Sequence, residues 1–421
     1  MRSGLRSTSM YIEDTQNGEH PYAPGVTRWS LYRSLWRKYV RQFYARYENS
    51  FAARFGNLTR EKIDEVTKLI DCGQFTNGFV FHTCPTCGTK LAIPFTCKSR
   101  LCLSCRRKSL FGWSVHLSEL MNTSLNHVHV TFTIPGRVLK MIEHSGFDET
   151  ELVPLAAGSY IKLLRMSKVF DQKHLMPGAL AALHKCGNSL NYNPHVHLVG
   201  TTEMVHRKTG EILKTGFIHY TKARHIWMEA VCSLLVKRNS ITADIAQIIK
   251  DAYPKGFHVY IQPIKAKNNE LLGRTAEYIA SGFFHNSQIK KIDHIKKTVT
   301  FSFKKHVDRI SGKKLYGEMT LSVFEFMARM LYFLPEKHSK HLRWYGIYAN
   351  GVREKMQRIK KDTWALAVKH CFNKDPELCP KCRIPMLRTT VFSYQAVREA
   401  KKHWRTHACS GGYFIPYKND P

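Results

Sequence analysis

Between residues 28 and 70, apolar and aromatic positions recur at helical spacing. Trp29, Leu31, Leu35, Trp36, Tyr39 and Val40 alternate with Arg33, Arg37, Lys38 and Arg41, which predicts basic helices. The same mixture suits a helix that buries its aromatics and one that grips a phosphate backbone and stacks on bases. From about residue 126 the period becomes strand-like. His127-Val-His-Val-Thr-Phe-Thr-Ile-Pro135 is rich in β-branched residues and ends at Pro135-Gly136, as a strand would. A helix with Leu152, Leu155, Ile161, Leu163 and Leu164 follows. Residues 178–184 and 195–201 read as two strands joined by a polar connection. Helices are expected over 222–252, a strand over 257–261, a helix carrying Tyr278 over 270–284, a basic strand pair over 289–306 and a helix over 320–334. Strands interleaved with helices predict an α+β fold with a largely antiparallel sheet.

Charge narrows the partner. The chain has 421 residues, with 65 Lys plus Arg against 32 Asp plus Glu, for a net charge of +33. Such an excess favours a polyanion, because each cation that meets a phosphate releases counterions. Residues 1–30 lack the apolar segment of a secretory signal, and no run approaches the roughly 18 apolar residues of a membrane span. A cytoplasmic protein with no membrane partner is therefore expected. In that compartment the 12 cysteines are expected to be metal ligands rather than disulfides.

Six cysteines form one tight group: Cys72, then Cys84-Pro-Thr-Cys87-Gly, Cys97, and Cys102-Leu-Ser-Cys105. A C-x2-C pair turns the chain so that both thiolates face one tetrahedral zinc ion, and Gly88 suits the positive φ of such a turn. Six cysteines do not complete two four-ligand sites. His82 is the nearest candidate for the gap, with His116 behind it. A second group holds Cys379-Pro-Lys-Cys382 with Cys371 and Cys409, and with His370, His403 and His407 nearby. It predicts a separate C-terminal zinc site made of Cys379, Cys382 and two of these neighbours. Cys186 is expected to be unrelated, and Cys232 to be core.

On a strand, His195 and His197 point to one face about 7 Å apart, so both imidazoles can reach one divalent cation. His127-Val128-His129 is a second triplet of the same kind, so the spacing alone is weak. Context separates them. Leu183-His-Lys-Cys-Gly-Asn-Ser-Leu-Asn-Tyr-Asn-Pro-His-Val-His-Leu-Val199 resembles the core motif of the rolling-circle insertion-sequence transposases of the insertion sequence ninety-one family. These belong to the HUH single-stranded DNA endonucleases, named for His–hydrophobic–His. Cys72 to Cys105 resembles that family's zinc domain, 129–135 its first strand, and 319–326 and 334–350 its downstream blocks. Cys379-Pro-Lys-Cys382 is similar to its late C-x2-C.

The resemblance implies a palm-like antiparallel sheet with the His pair on a central strand, flanked by helices, and Tyr278 as nucleophile. Attack on DNA would leave a 5′-phosphotyrosine. The third ligand would be His184, from the strand expected to pair with 195–199, or less readily His129. Mg²⁺ or Mn²⁺ suits hard phosphate oxygens. The family often carries two tyrosines four residues apart, but the second position here is Gly282. One tyrosine would then act twice, or two subunits of a homodimer would supply one each. Single-stranded DNA with transposon-end hairpins and target DNA are the expected partners, in a bacterial, nucleoid-associated setting. Arg274 lies one helical turn before Tyr278 and is placed to bind the scissile phosphate. Lys290, Lys291, Lys296 and Lys297 would form a basic strand face, together with Lys304 and Lys305. Asn191 and Asn193 would orient the His pair or touch DNA.

The expected organisation is a basic helical region over 1–70 and a zinc domain over 71–110. A nuclease domain over 120–310 carries a helical insertion at about 220–252. A helical DNA-binding region over 311–365 and a zinc-ribbon-like element over 366–421 complete the chain. The alternatives are a plasmid rolling-circle replication initiator or relaxase, and a zinc DNA-binding regulator without catalysis.

Overall fold

The computed structural model describes residues 26–74, 77–121, 125–143, 145–166, 174–206, 208–214, 219–264, 284–307, 314–337, 339, 341–349, 369, 375 and 377–393. In chain order the elements begin with α1 (Val26–Ser50), α2 (Ala52–Phe55), α3 (Arg60–Asp71), β1 (Gly78–Thr83), β2 (Lys90–Pro94) and α4 (Leu103–Leu120). Next come β3 (His127–Thr133), α5 (Gly136–Ile142), α6 (Leu152–Arg165), β4 (Leu175–Met176), β5 (Gly178–Cys186) and β6 (Tyr192–Thr201). They are followed by β7 (Glu203–His206), β8 (Ile212–Lys214), α7 (Tyr220–Lys237), α8 (Ala243–Ala252) and β9 (Val259–Ile264). The last are β10 (Ile289–Asp293), β11 (Thr298–Val307), β12 (Lys314–Ser322), α9 (Val323–Tyr332), β13 (Leu342–Gly346) and β14 (Leu387–Ser393). The fold is α+β, and every strand pairing among the described residues is antiparallel.

The centre is a five-stranded sheet in the order β13-β5-β6-β3-β9. Period 2 divides its residues between two faces. One face is dry: Val128, Val130, Phe132, Ala181, Leu183, Val196 and Leu198 pack on Tyr160 of α6 and on Trp227 and Val231 of α7. Each Val, Leu or Phe side chain among them, fully buried, contributes about 1.5–3 kcal/mol, so this face is committed to stability. The opposite face takes the alternate residues. At one end Leu180, Ala182 and Val199 pack with Tyr348; at the other end it carries the histidines.

A second core joins α1 to α9 and to the β10-β11-β12 sheet. Tyr32, Leu35, Trp36, Tyr39, Phe43 and Tyr47 are all buried there. The aromatic stripe of the first helix is therefore core, and these rings offer no platform for bases. Two of its arginines are also structural. Arg33 Nη1 donates to the Cys72 carbonyl at 2.6 Å and Arg37 Nε to that of Ile70 at 2.7 Å. Both satisfy carbonyls left over at the end of α3.

Two strands pair with partners far away in the chain. β13 lies beyond residue 310 yet is the edge strand of the central sheet, with Leu342 opposite Ala182 and Gly346 opposite Gly178. β14 pairs with β1, from Gly78 opposite Ser393 to Thr83 opposite Leu387. Residues 387–393 are therefore a strand of the N-terminal sheet. No helix among the described residues is long and apolar enough to cross a membrane.

Candidate active site and metal centres

Register builds the histidine cluster. On β6, His195 faces Thr133 of β3 and His184 of β5, while His197 faces Thr131 and Ala182. His184, His195 and His197 each bring one ring nitrogen within 4.8 Å of the others. Ring centroids are 4.5 Å apart for His184–His197 and 4.9 Å for His195–His197. Three imidazoles at this spacing can hold one divalent cation.

Their surroundings set the protonation. His195 Nδ1 lies 2.6 Å from the carbonyl of Asn193. A carbonyl only accepts, so Nδ1 carries the proton and Nε2 keeps its lone pair. Burial depresses the His195 pKa, against the opposing pull of that carbonyl. His197 is pushed well below the usual histidine range, first by burial and then by His184, His195 and His129. Neutral imidazoles are the ligand form.

His129 stands one pair further along β3, opposite Val199, and is not one of the three. Its Nε2 lies 2.9 Å from His197 Nδ1, and Thr131 Oγ1 lies 3.2 Å from the same nitrogen. His129 is thus placed behind His197 rather than beside it. Thr131 was not singled out by sequence, although the strand period puts it on the histidine face. Tyr192 and Glu149 were also missed. The Tyr192 hydroxyl donates to Glu149 Oε1 at 2.9 Å, and Lys185 Nζ lies 2.9 Å from Glu149 Oε2. Burial and the Glu149 carboxylate raise the Tyr192 pKa far above that of a free phenol, so this tyrosine is held as a donor.

Asn193 contributes through its backbone carbonyl. Asn191 accepts from Ser189 Oγ at 2.7 Å and forms the turn of the β5–β6 hairpin. Lys290, Lys291, Lys296 and Lys297 are exposed on the β10–β11 hairpin. Tyr278, Arg274 and Gly282 lie outside the described residues.

The cysteines sort differently from the expected pairing. Cys72, Cys97, Cys102 and Cys105 form one four-thiol group, and Cys84, Cys87, Cys379 and Cys382 form another. In the first, Cys72 and Cys97 Sγ each lie 3.6 Å from Cys105 Sγ. The loop that carries Cys97 and Cys102 is anchored by Glu65, which accepts from Ser99 Oγ at 2.8 Å and Arg100 N at 2.7 Å. In the second, the C-terminal C-x2-C fills the place considered for His82. His82 belongs to neither group. Cys371 and Cys409 lie outside the described residues, as do His370, His403 and His407. Cys186 and Cys232 are buried in apolar cores.

Comparisons with known proteins agree with this layout. Residues 39–134, which hold all six early cysteines, match the family model described as "Transposase zinc-binding domain". Residues 178–358, which include β5, β6 and β13, match the one described as "Putative transposase". The chain is 24% identical to the "Transposase for insertion sequence element IS801" of Pseudomonas savastanoi pv. phaseolicola over 367 residues, 80% of this chain and 86% of that protein. It is 23% identical over 356 residues to "Putative transposase y4qJ" of Sinorhizobium fredii (strain NBRC 101917 / NGR234), 78% of this chain and 85% of the relative. No solved structure matches. The chain belongs to the IS91 family of insertion-sequence transposases.

Proposed function

We propose that this transposase nicks and rejoins single-stranded DNA at transposon ends as an HUH endonuclease, with the five-stranded sheet as its palm. The carrying observation is the convergence of His184, His195 and His197 at one end of the sheet face opposite the dry core. These three side chains would hold Mg²⁺ or Mn²⁺, which would polarise the scissile phosphate. Tyr278 is the proposed nucleophile. Its phenol oxygen bonds to phosphorus and loses its proton, and the P–O3′ bond breaks. A 5′-phosphotyrosine and a free 3′-hydroxyl result, and reversal of the same exchange rejoins strands without ATP.

Chain continuity supports that assignment. Phe284, six residues after Tyr278, is buried with Phe301 and Phe326 in the core that also takes Cys186 and Tyr192. Cys186 and Tyr192 face each other one step from the His184–His195 pair. Six residues span at most about 20 Å, a tether compatible with Tyr278 acting at the cluster. With Gly282 at the next turn, a single tyrosine acts twice or a homodimer supplies two. Arg274, Asn193 and the β10–β11 lysines would hold the strand, and the cysteine groups would hold structural zinc.

The test is incubation with a hairpin-flanked single strand and Mg²⁺, followed by a denaturing gel. Wild type should give a covalent protein–DNA adduct, and Tyr278→Phe none. Binding without an adduct would leave a zinc DNA-binding regulator; an adduct from Tyr278→Phe would move the nucleophile elsewhere.

A further inference from the structure

We infer that Cys84, Cys87, Cys379 and Cys382 hold a single zinc ion that clasps residues 377–393 onto the N-terminal sheet. The matched zinc-binding region ends at residue 134, so half of this site's ligands come from outside it. Cys84 Sγ lies 3.3 Å from Cys382 Sγ, 298 residues away in sequence. Cys87 Sγ lies 3.6 Å from both Cys379 Sγ and Cys382 Sγ. These separations exceed the roughly 2.05 Å of a disulfide. They approach the spacing of about 3.8 Å between thiolates bound tetrahedrally at about 2.3 Å from zinc.

The two C-x2-C turns repeat one another bond for bond. In the first, Gly88 N donates to the Cys84 carbonyl at 3.1 Å and Cys84 N to that of Thr89 at 2.8 Å. In the second, Arg383 N donates to the Cys379 carbonyl at 2.9 Å and Cys379 N to that of Ile384 at 2.8 Å. Gly88 has φ +63° and Arg383 φ +60°. An arginine in the left-handed region is uncommon, and here it occupies the position that glycine fills in the other turn. Both turns thus have the shape of a zinc knuckle, and each leads through its next residues into the same β14-β1-β2 sheet. Among the described residues, the apolar core under that sheet holds Val80, Ile93 and Met386 besides the cysteines, with Ile384 packed against it. A sheet of three short strands gains from a further tie, and a four-thiolate zinc supplies one. The clasp is independent of the strand-cutting chemistry, and its test does not read activity.

Zinc per full-length chain, measured by plasma mass spectrometry, decides it. Wild type should hold two ions. Cys84→Ser/Cys87→Ser and Cys379→Ser/Cys382→Ser should each hold one, and the four-fold variant should still hold one, because the pairs share an ion. Three ions in wild type, or a two-ion loss in the four-fold variant, would mean separate sites and overturn the clasp. So would retention of both ions by either paired variant. Hydrogen exchange on wild type avoids the variants. As a chelator removes the first zinc, peptides covering 78–94 and 377–393 should lose protection together. Opening of one while the other stays protected would equally overturn it.

Discussion

His129 Nε2 lies 2.9 Å from His197 Nδ1, across the β3–β6 pairing. If His197 binds metal through Nε2, its Nδ1 must carry the proton and needs an acceptor. His129 Nε2 and Thr131 Oγ1 are both placed for it. Such outer partners fix ring orientation, and their loss typically costs 10–100-fold in metal affinity. His129→Ala should therefore weaken Mn²⁺ binding by about 10–100-fold, read from the free-ion paramagnetic resonance signal. His129→Gln, whose amide oxygen can accept the same bond, should recover most of it. Wild-type affinity in His129→Ala would remove the orienting role. If wild type itself binds no Mn²⁺, the metal assignment fails instead.

Glycine positions give a stability contrast. A Cβ at Gly200 on β6 would stand 2.3 Å from Tyr160 Cε1, and Tyr160 is fully buried, its hydroxyl bonded to the Thr201 carbonyl at 2.8 Å. The ring cannot move away without losing that bond. Gly200→Ala should lower stability by about 1–3 kcal/mol, the usual cost of overpacking. Gly158, inside α6, has nothing within 4 Å of a built Cβ. Gly158→Ala should raise stability by about 0.5–1 kcal/mol, the helix-interior penalty of glycine. Urea midpoints that move in the same direction for both would contradict the packing described.

Local patterns made much of the central sheet legible. The alternation of His127–Ile134 gave β3, and 178–184 with 195–201 gave the β5–β6 hairpin, because one face of each strand is dry and period 2 survives in the sequence. That parity put His195 and His197 on one face, and strand adjacency made His184 their companion. The choice between His184 and His129 depended on register, which places His184 directly opposite His195 and His129 opposite Val199. β13 was invisible because all five of its residues are half-buried, leaving no alternation to read. The cysteine pairing was invisible for another reason. Every C-x2-C turn looks alike locally, and only the β1–β14 ladder, between strands some 300 residues apart, selects which two turns meet. Composition also could not tell whether the aromatics of α1 face DNA or core; the packing of Trp36 and Phe43, edge to face at 5.9 Å, decides it.

Acid should destabilise the fold through His341. Burial and nearby Lys185 depress its pKa to about 4, and its carbonyl accepts from Leu183 N at 2.7 Å beside the histidine end of β5. An unfolded histidine titrates near 6.5. Above that pH both states are neutral and the group has no effect. Below it the unfolded chain takes up a proton that the folded chain refuses, so stability falls between about pH 6.5 and 4 and then levels. The drop from this residue should reach on the order of 2–3 kcal/mol. His341→Gln should flatten that part of the stability-versus-pH curve in denaturant titrations. An unchanged slope would mean that the ring is already protonated in the fold.

The β10–β11 hairpin should carry part of the grip on single-stranded DNA. Lys290, Lys291, Lys296 and Lys297 are exposed, and among the described residues only Lys291 has a carboxylate near, Asp293 at 3.4 Å. An exposed pair of that kind is worth little, so all four cations remain available to phosphates. Each phosphate neutralised on a single strand steepens the dependence of log K on log salt by about 0.7. Replacing all four lysines by alanine should therefore flatten that slope by up to about 2.8 if each meets a phosphate, with the loss of affinity largest at low salt. The fold should be unaffected, since these side chains are exposed and the hairpin is held by Ile289, Val299 and Phe301 in the core. Fluorescence anisotropy of a labelled single strand across salt concentrations gives the slope directly. A variant that binds more weakly with an unchanged slope would place the phosphates elsewhere and leave this hairpin a structural support for α1.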